Sequence, residues 1–388
     1  GYTQWAIRYS LWVNWPIRCN YRIAREEVAM AESAHEKLRQ MLDLHPVGCP
    51  PAPEINDILK ILFTGDEARV ALGLGFRPFT VDEIAARAGV DSEAAGLHLE
   101  SLADKGMVFA RQKNGVWGYA LFHLISIFEN PYRKGVRDET IEKLTPLWQK
   151  YQAITSPRLG GETPTITRVV PVKEKIESHA EILPYEKVDV MIDQAKVVGI
   201  ARCPCREFQQ NCDAPREACM LFDGACKFLV ERGFARYLTK TEMKQKLQEF
   251  DGLGLVRQVN NTRDRLEVIC HCCPCCCYLL GALTEYENPR AFARSAYLPR
   301  RDMEKCVGCG ICADERCPMK AIEMVDQKPV VTIEKCIGCG VCASGCPHDA
   351  LRMERCADVP EPPATSMEMG MQVLQEQGKL EDFIKLNT

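Results

Sequence analysis

The chain has 388 residues, more than one typical domain, with 46% apolar and 26% charged residues and a formal net charge of −4. These proportions exclude a disordered or low-complexity polymer, and the acidic balance disfavours generic binding to nucleic acid. No run of about eighteen apolar residues occurs, so no membrane span is expected.

Residues 1–29 are basic and carry Trp5, Trp12 and Trp15. They lack a small-residue cleavage site behind an apolar core, which argues against a secretory signal. Met30-Ala31-Glu32-Ser33 reads as a native start, with 1–29 a non-native or disordered extension; an amphipathic surface anchor is the competing reading. Residues 31–44 read as a helix with Ala34, Leu38, Met41 and Leu42 near helical spacing, and the prolines at 46, 50, 51 and 53 make a linker. A second helix starts over 54–63 with Ile55, Ile58, Leu59 and Leu62. Thr80-x-x-Glu83 is a capping box, Gly89 a turn, and Asp91 the cap of a helix that Gly106 ends. Segments 107–110 and 116–121 flank Lys113-Asn114-Gly115 as a hairpin. This order over 54–125 resembles a winged helix, which implies a winged-helix-like domain over 30–125. The helix after Gly89 offers Asp91, Glu93, Glu100 and Asp104 with no lysine or arginine before Lys105. Such a helix repels phosphate, so a packing or docking module is expected rather than a DNA reader.

Residues 126–184 hold Pro131, Pro146, Pro157, Pro164 and Pro171 and read as a connector with a short helix around 139–151. Helical patterning resumes over 185–198 and leads into a cysteine-rich domain, 185–298. Its first run is Cys203, Cys205, Cys212 and Cys219, where Pro204 and Pro215 keep the backbone irregular enough for sulfurs to converge. Arg206 is positioned to donate to cluster sulfide. Helices follow over 225–233 and 239–252, the second behind Thr239-x-x-Glu242. A hairpin of 255–259 with 266–269 then delivers Cys270-His271-Cys272-Cys273-Pro274-Cys275-Cys276-Cys277. Cys270, Cys273 and Cys276 repeat a cube-binding triad, and Cys272 and Cys275 interleave with it. Either each run holds its own cluster, or the runs exchange ligands. Adjacent cysteines cannot all face one centre, and dense cysteine runs also suit zinc. His271 reads as a hydrogen-bond donor. Cys19, Cys49, Cys226 and Cys356 stand apart as free or structural thiols.

Over 299–357 two runs repeat. Cys306-x2-Cys309-x2-Cys312 closes with Cys317-Pro318, and Cys336-x2-Cys339-x2-Cys342 closes with Cys346-Pro347. Three cysteines at this spacing take one cube, and the fourth reaches the neighbouring cube. One cluster therefore uses Cys306, Cys309, Cys312 and Cys346, and the other Cys336, Cys339, Cys342 and Cys317. The first run has four residues, 313–316, before its last cysteine where the second has three, and the extra residue is expected to bulge outward. Disulfides suit secreted chains and zinc prefers separated pairs. Residues 300–356 resemble the bacterial dicluster ferredoxin module. Residues 185–283 resemble an iron–sulfur domain found beside such modules in anaerobes. Pro360-x-Pro362-Pro363 is a linker within 358–388, and a helix over 367–383 is expected to cap the module or meet a partner.

The expectation is an α+β multidomain chain with two [4Fe-4S] clusters and one or two more. It would be a ferredoxin-type carrier, or the electron-transfer subunit of an anaerobic, cytoplasmic oxidoreductase, meeting a redox partner rather than nucleic acid. Gly308, Gly310, Gly338 and Gly340 let the backbone wrap the clusters. No dinucleotide fingerprint, P-loop, nucleophile elbow or zinc-protease helix appears. The alternatives are a redox-sensing winged-helix regulator and a reductase with a substrate-binding cluster.

Overall fold

The computed structural model describes residues 33–159, 165–172, 187–356 and 359–388. The N-terminal extension with Cys19, and residues 160–164 and 173–184 of the expected connector, lie outside them. Ser33 caps the first helix, α1 (Ala34–Asp43), by accepting from Glu36 N at 3.2 Å. α2 (Pro53–Leu62) follows the proline linker and buries Ile55, Ile58, Leu59 and Leu62. A helix absent from the sequence reading comes next, α3 (Gly65–Ala71), closed by a Thr64–Glu67 capping box. α4 (Val81–Ala88) carries the expected Thr80–Glu83 box, and α5 (Ser92–Asp104) starts at Asp91. β1 (Val108–Lys113) and β2 (Val116–Leu121) pair antiparallel around Asn114 and Gly115, with φ of 52° and 81°. Both angles are left-handed, the geometry of the Asn-Gly hairpin turn.

The expected connector contains two packed helices, α6 (Leu124–Arg133) and α7 (Glu139–Thr155), each running through a proline. Proline within a helix costs about 3 kcal/mol, and aromatic burial here offsets it. Phe128 meets the rings of Trp148, Tyr132 and Phe208 at 5.2–5.4 Å, and α7 lies along α2. The short helix expected around 139–151 is the longer α7, while α6 was not expected, because the compensation for Pro131 comes partly from Trp148 and Phe208, far along the chain.

A six-stranded antiparallel sheet carries the middle of the molecule. Its strands are β3 (Thr167–Val169), β4 (Val198–Arg202), β5 (Glu217–Phe222), β6 (Ala235–Leu238), β7 (Val256–Asn260) and β8 (Val268–Cys272), in the spatial order β3-β7-β8-β5-β4-β6. The helical stretch expected over 185–198 is the shorter α8 (Val188–Gln194), and β4 leads into Cys203. α9 (Pro204–Gln209) follows Cys203, α10 (Asp223–Glu231) follows β5, and α11 (Lys240–Gly252) starts at the Thr239–Glu242 box. α12 (Tyr278–Thr284) follows the second cysteine run.

Beyond it, β9 (Tyr297–Arg301) pairs with β12 (Leu351–Arg355), and β10 (Ile322–Val325) with β11 (Lys328–Val331). A single helical turn, α13 (Val341–Ser344), lies between β11 and β12 in the chain. The final helix of the sequence reading is two, α14 (Ser366–Glu376) and α15 (Leu380–Asn387). They contact the N-terminal helices rather than capping the ferredoxin-like segment. Asn387 Oδ1 accepts from Phe76 N at 2.7 Å, Lys379 pairs with Asp43 at 2.9 Å, and Phe383 stacks on Phe76 at 5.8 Å. The helices and small antiparallel sheets together have an α+β character. Among the described residues no helix is long and apolar enough to cross a membrane.

His45 and His123 lie against each other, ring centroids 5.0 Å apart. Burial lowers His123 to about 4, and burial together with His123 lowers His45. An unfolded histidine titrates near 6.5, so the unfolded chain binds more protons between about 6.5 and 4. Stability is therefore present above about pH 6.5 and lost as pH falls below it, by about 1–2 kcal/mol at pH 5 for rings that keep some solvent contact. The expected result is a thermal midpoint that drops between pH 7 and 5, with a shallower drop in His123→Gln. Equal drops in the two proteins would contradict it.

Candidate iron–sulfur centres

The two C-terminal cysteine runs surround two hollows. Cys306, Cys309, Cys312 and Cys346 line one, and Cys317, Cys336, Cys339 and Cys342 line the other. The structure thus gathers the two quartets that spacing suggested, each taking its last cysteine from the other run. The reason is local. Each Cys-Pro closes a turn whose fourth following residue donates to the sulfur: Ala321 N to Cys317 Sγ at 3.2 Å, and Ala350 N to Cys346 Sγ at 3.3 Å. Those turns lead into β10 and end at β12, so each aims its sulfur across the shared core of Tyr297, Ile322, Ala343, Leu351 and Met353.

The hollows suit an iron–sulfur cube. Gly308, Gly310, Gly338 and Gly340 have φ between 70° and 81°, which a side chain would strain. A Cβ on Gly340 would stand 3.2 Å from Val172 N, so the backbone is pressed between hollow and neighbour. All four potential ligands of each hollow are thiols, the donors that such clusters take. Burial raises the Cys312, Cys336 and Cys342 thiols and pushes Cys339 up to about 12, so ligation has to displace their protons.

The two hollows are not equivalent. The first opens at the surface: Cys309 is exposed and Val307 is 62% exposed. The second is covered, with Ile337 buried and Cys339 O accepting from Val172 N at 3.2 Å. The extra residue of the first run does not bulge as a loop. Cys312–Arg316 winds as one wide turn of π type, where the second run has the α turn of α13. The wide turn sends Arg316 back to the end of α11, where it donates to Gly252 O at 2.9 Å and Asp251 O at 3.2 Å. Arg316 also reaches Ser344 Oγ at 3.3 Å, tying the first run to the second.

The middle cysteines regroup. Cys203, Cys205, Cys212 and Cys219 do not converge on one point. Cys212 Sγ lies 3.6 Å from Cys273 and 3.8 Å from Cys276, and Cys275 lies 3.9 Å from Cys276. These four sulfurs all fall within 4.8 Å of one another. Burial alone would raise Cys212, yet the Ala214 backbone N–H and the three neighbouring thiols bring it below the ordinary range.

A second string is deeper. Cys205, Cys277, Cys272, Cys270 and Cys219 follow one another along it, each thiol shifting the proton affinity of the next. Strand geometry explains it: Cys270 and Cys272 are two apart on β8, so they share a face, and Cys219 on β5 is the register partner of Cys270. Cys270 and Cys277 accept hydrogen bonds from their neighbours and fall below the usual thiol range; Cys205, Cys219 and Cys272 rise above it. Arg133 on α6, 4% exposed, lies against Cys219 and pairs with Glu129 at 2.8 Å. Its Nε has no hydrogen-bond partner among the described residues. Cys203 sits near this string, next to Arg206.

Sequence reasoning missed Cys272, Cys275 and Cys277 as members of these groups. The strand period across Cys270 and Cys272 was the signal for the first of them. His271 points to the other face, its Nδ1 at 3.2 Å from the Ala218 carbonyl and its ring at 4.6 Å from Phe250. Arg206 donates to Pro215 O at 2.8 Å and His271 O at 2.6 Å, joining the two runs. Of the thiols read as standing apart, Cys49 and Cys226 are buried in the N-terminal core, and Cys356 is half-buried after β12.

A family model described as a 4Fe-4S dicluster domain matches residues 298–347, a span that contains all eight cysteines of the two hollows. Comparison with curated proteins and with solved structures found no match. Residues 298–347 are therefore an iron–sulfur domain of the 4Fe-4S dicluster kind.

Proposed function

We propose that the chain is an electron-transfer protein, a ferredoxin-type carrier or the electron-transfer subunit of a larger oxidoreductase. The observation that carries this reading is the pair of all-cysteine hollows sharing one core, one open at the surface and one covered by the rest of the chain. Cys306, Cys309, Cys312 and Cys346 would hold one [4Fe-4S] cluster, and Cys317, Cys336, Cys339 and Cys342 the other. Bound there, each cluster takes up and returns one electron at a time. The chain's part is to hold the sulfurs, exclude water from the inner hollow, and keep the two sites on one shared core.

A further iron–sulfur centre would draw its ligands from Cys205, Cys219, Cys270, Cys272 and Cys277, with those sulfurs spread around it. Cys272 and Cys277 share a packed core with Cys317, Cys336 and Cys339, so the string adjoins the inner hollow. Arg133 supplies a buried positive charge beside it. The route then runs from the string to the inner hollow, to the outer hollow, and out past Val307 and Cys309 to a redox partner.

The N-terminal helices and hairpin suit a winged-helix-like docking module. α5 presents acid rather than base, and Arg232 after α10 already engages Glu100 at 2.9 Å and Asp104 at 2.6 Å. Anaerobically purified protein tests the function. Two interacting paramagnetic centres should appear on reduction by dithionite, and an artificial acceptor should reoxidise them. A reduced spectrum altered by a small substrate would favour a reductase instead. A cluster-dependent, sequence-specific gel shift would favour a regulator.

A further inference from the structure

The outer middle quartet differs in scale from the two ferredoxin hollows. A cube carries its four cysteines on four separate irons, so their sulfurs stand apart around it. Accordingly, in neither hollow do three sulfurs come within 4.8 Å of one another, among the described residues. The quartet has no such room. Four sulfurs bound at 2.3 Å to one tetrahedral ion stand about 3.8 Å apart. Three of the six observed separations are 3.6, 3.8 and 3.9 Å, and all six are within 4.8 Å.

We propose that Cys212, Cys273, Cys275 and Cys276 form a closed tetrathiolate site for a single zinc ion, distinct from the iron–sulfur centres. Three of its ligands come from the knuckle after β8 and one from the loop after α9. The ion therefore pins that loop onto the knuckle. Protein contacts already follow the same seam: Asn211 Nδ2 donates to Cys275 O at 2.8 Å, and Arg216 reaches Cys212 O at 3.4 Å.

Charge points the same way. Four thiolates around a divalent ion leave two negative charges, and two guanidiniums stand beside them. Arg206 is fully buried with Cys273 against its guanidinium, and its Nε has no hydrogen-bond partner among the described residues. Arg216 stands over the Cys212 carbonyl. All four positions around the ion are filled by protein, which leaves none open for substrate and marks the site as structural. Zinc has no redox chemistry of its own, so this site lies off the electron route.

The test uses the full chain, purified anaerobically from cells supplied with both metals. One zinc per chain is expected beside the iron, and absorption at the zinc edge should show a shell of four sulfurs at about 2.3 Å. Cys275→Ser, at the most exposed of the four, should remove that zinc and leave the iron count and reduced spectrum unchanged. Cys226→Ser should change neither metal. Zinc absent from the unaltered protein, or a zinc shell with oxygen or nitrogen neighbours, would overturn the proposal. So would Cys275→Ser removing iron instead: one iron would assign a mononuclear iron site, and about four a cube. None of these outcomes bears on the two ferredoxin hollows, so the electron-transfer reading is tested separately.

Discussion

Replacing Cys346 by serine is expected to remove about four irons per chain and to abolish the cluster of the first run, although Cys346 belongs to the second. The geometry demands this result, because Cys346 lines the hollow of Cys306, Cys309 and Cys312. Reduced protein should lose the signal of that cluster and its magnetic coupling to the inner one. The exchange is best tested by combination. Cys309→Ser and Cys346→Ser act on one cluster, so the double variant should lose no more iron than either single variant. Cys309→Ser with Cys317→Ser strikes both clusters and should lose about eight irons. If the Cys309 and Cys346 changes prove additive in iron, the exchange of ligands between runs is wrong.

The second large effect is on stability. Arg206→Ala should cost about 3 kcal/mol, because it removes two charge-assisted hydrogen bonds and leaves buried carbonyls unpaired. The side chain is fully buried, and its acceptors, Pro215 O and His271 O, belong to the loop and the strand that the two cysteine runs occupy. For a chain of this size, the thermal midpoint should fall by roughly 4 °C. Arg206→Lys keeps a charge but cannot hold both carbonyls in one planar fork, so an intermediate loss is expected. A midpoint unchanged within about 1 °C for Arg206→Ala would show that the two runs are held together by other means.

Much of the fold followed from local signals. Thr80 with Glu83, Thr239 with Glu242, and Asn114-Gly115 are short-range devices, and each forms the expected cap or turn. α3 was equally legible, since Thr64 and Glu67 have the same spacing and were passed over. The connector was legible only in part. A helix through Pro146 was expected, but Pro131 breaks helices by local rules, and only the aromatic packing around Phe128 overrides it for α6. The C-terminal helices likewise find their partners some 300 residues away, at Phe76 and Asp43.

The candidate centres divide along the same line. For the ferredoxin runs, spacing by itself pointed to the two quartets that line the hollows, because three cysteines at two-residue spacing wrap one corner of space. The Cys-Pro that follows is then too far along the chain to join them. Spacing has no such power in the middle domain. Six cysteines in eight positions allow many subsets, and the selection depends on where β8 stops being a strand. Cys270 and Cys272 share a face while the strand lasts and meet Cys219 across the sheet; Cys273, Cys275 and Cys276 turn away beyond it and meet Cys212. Only the tertiary structure decided that partition. It did so because strand pairing fixes which side of the backbone each sulfur leaves from, and a one-residue shift reverses every one of them.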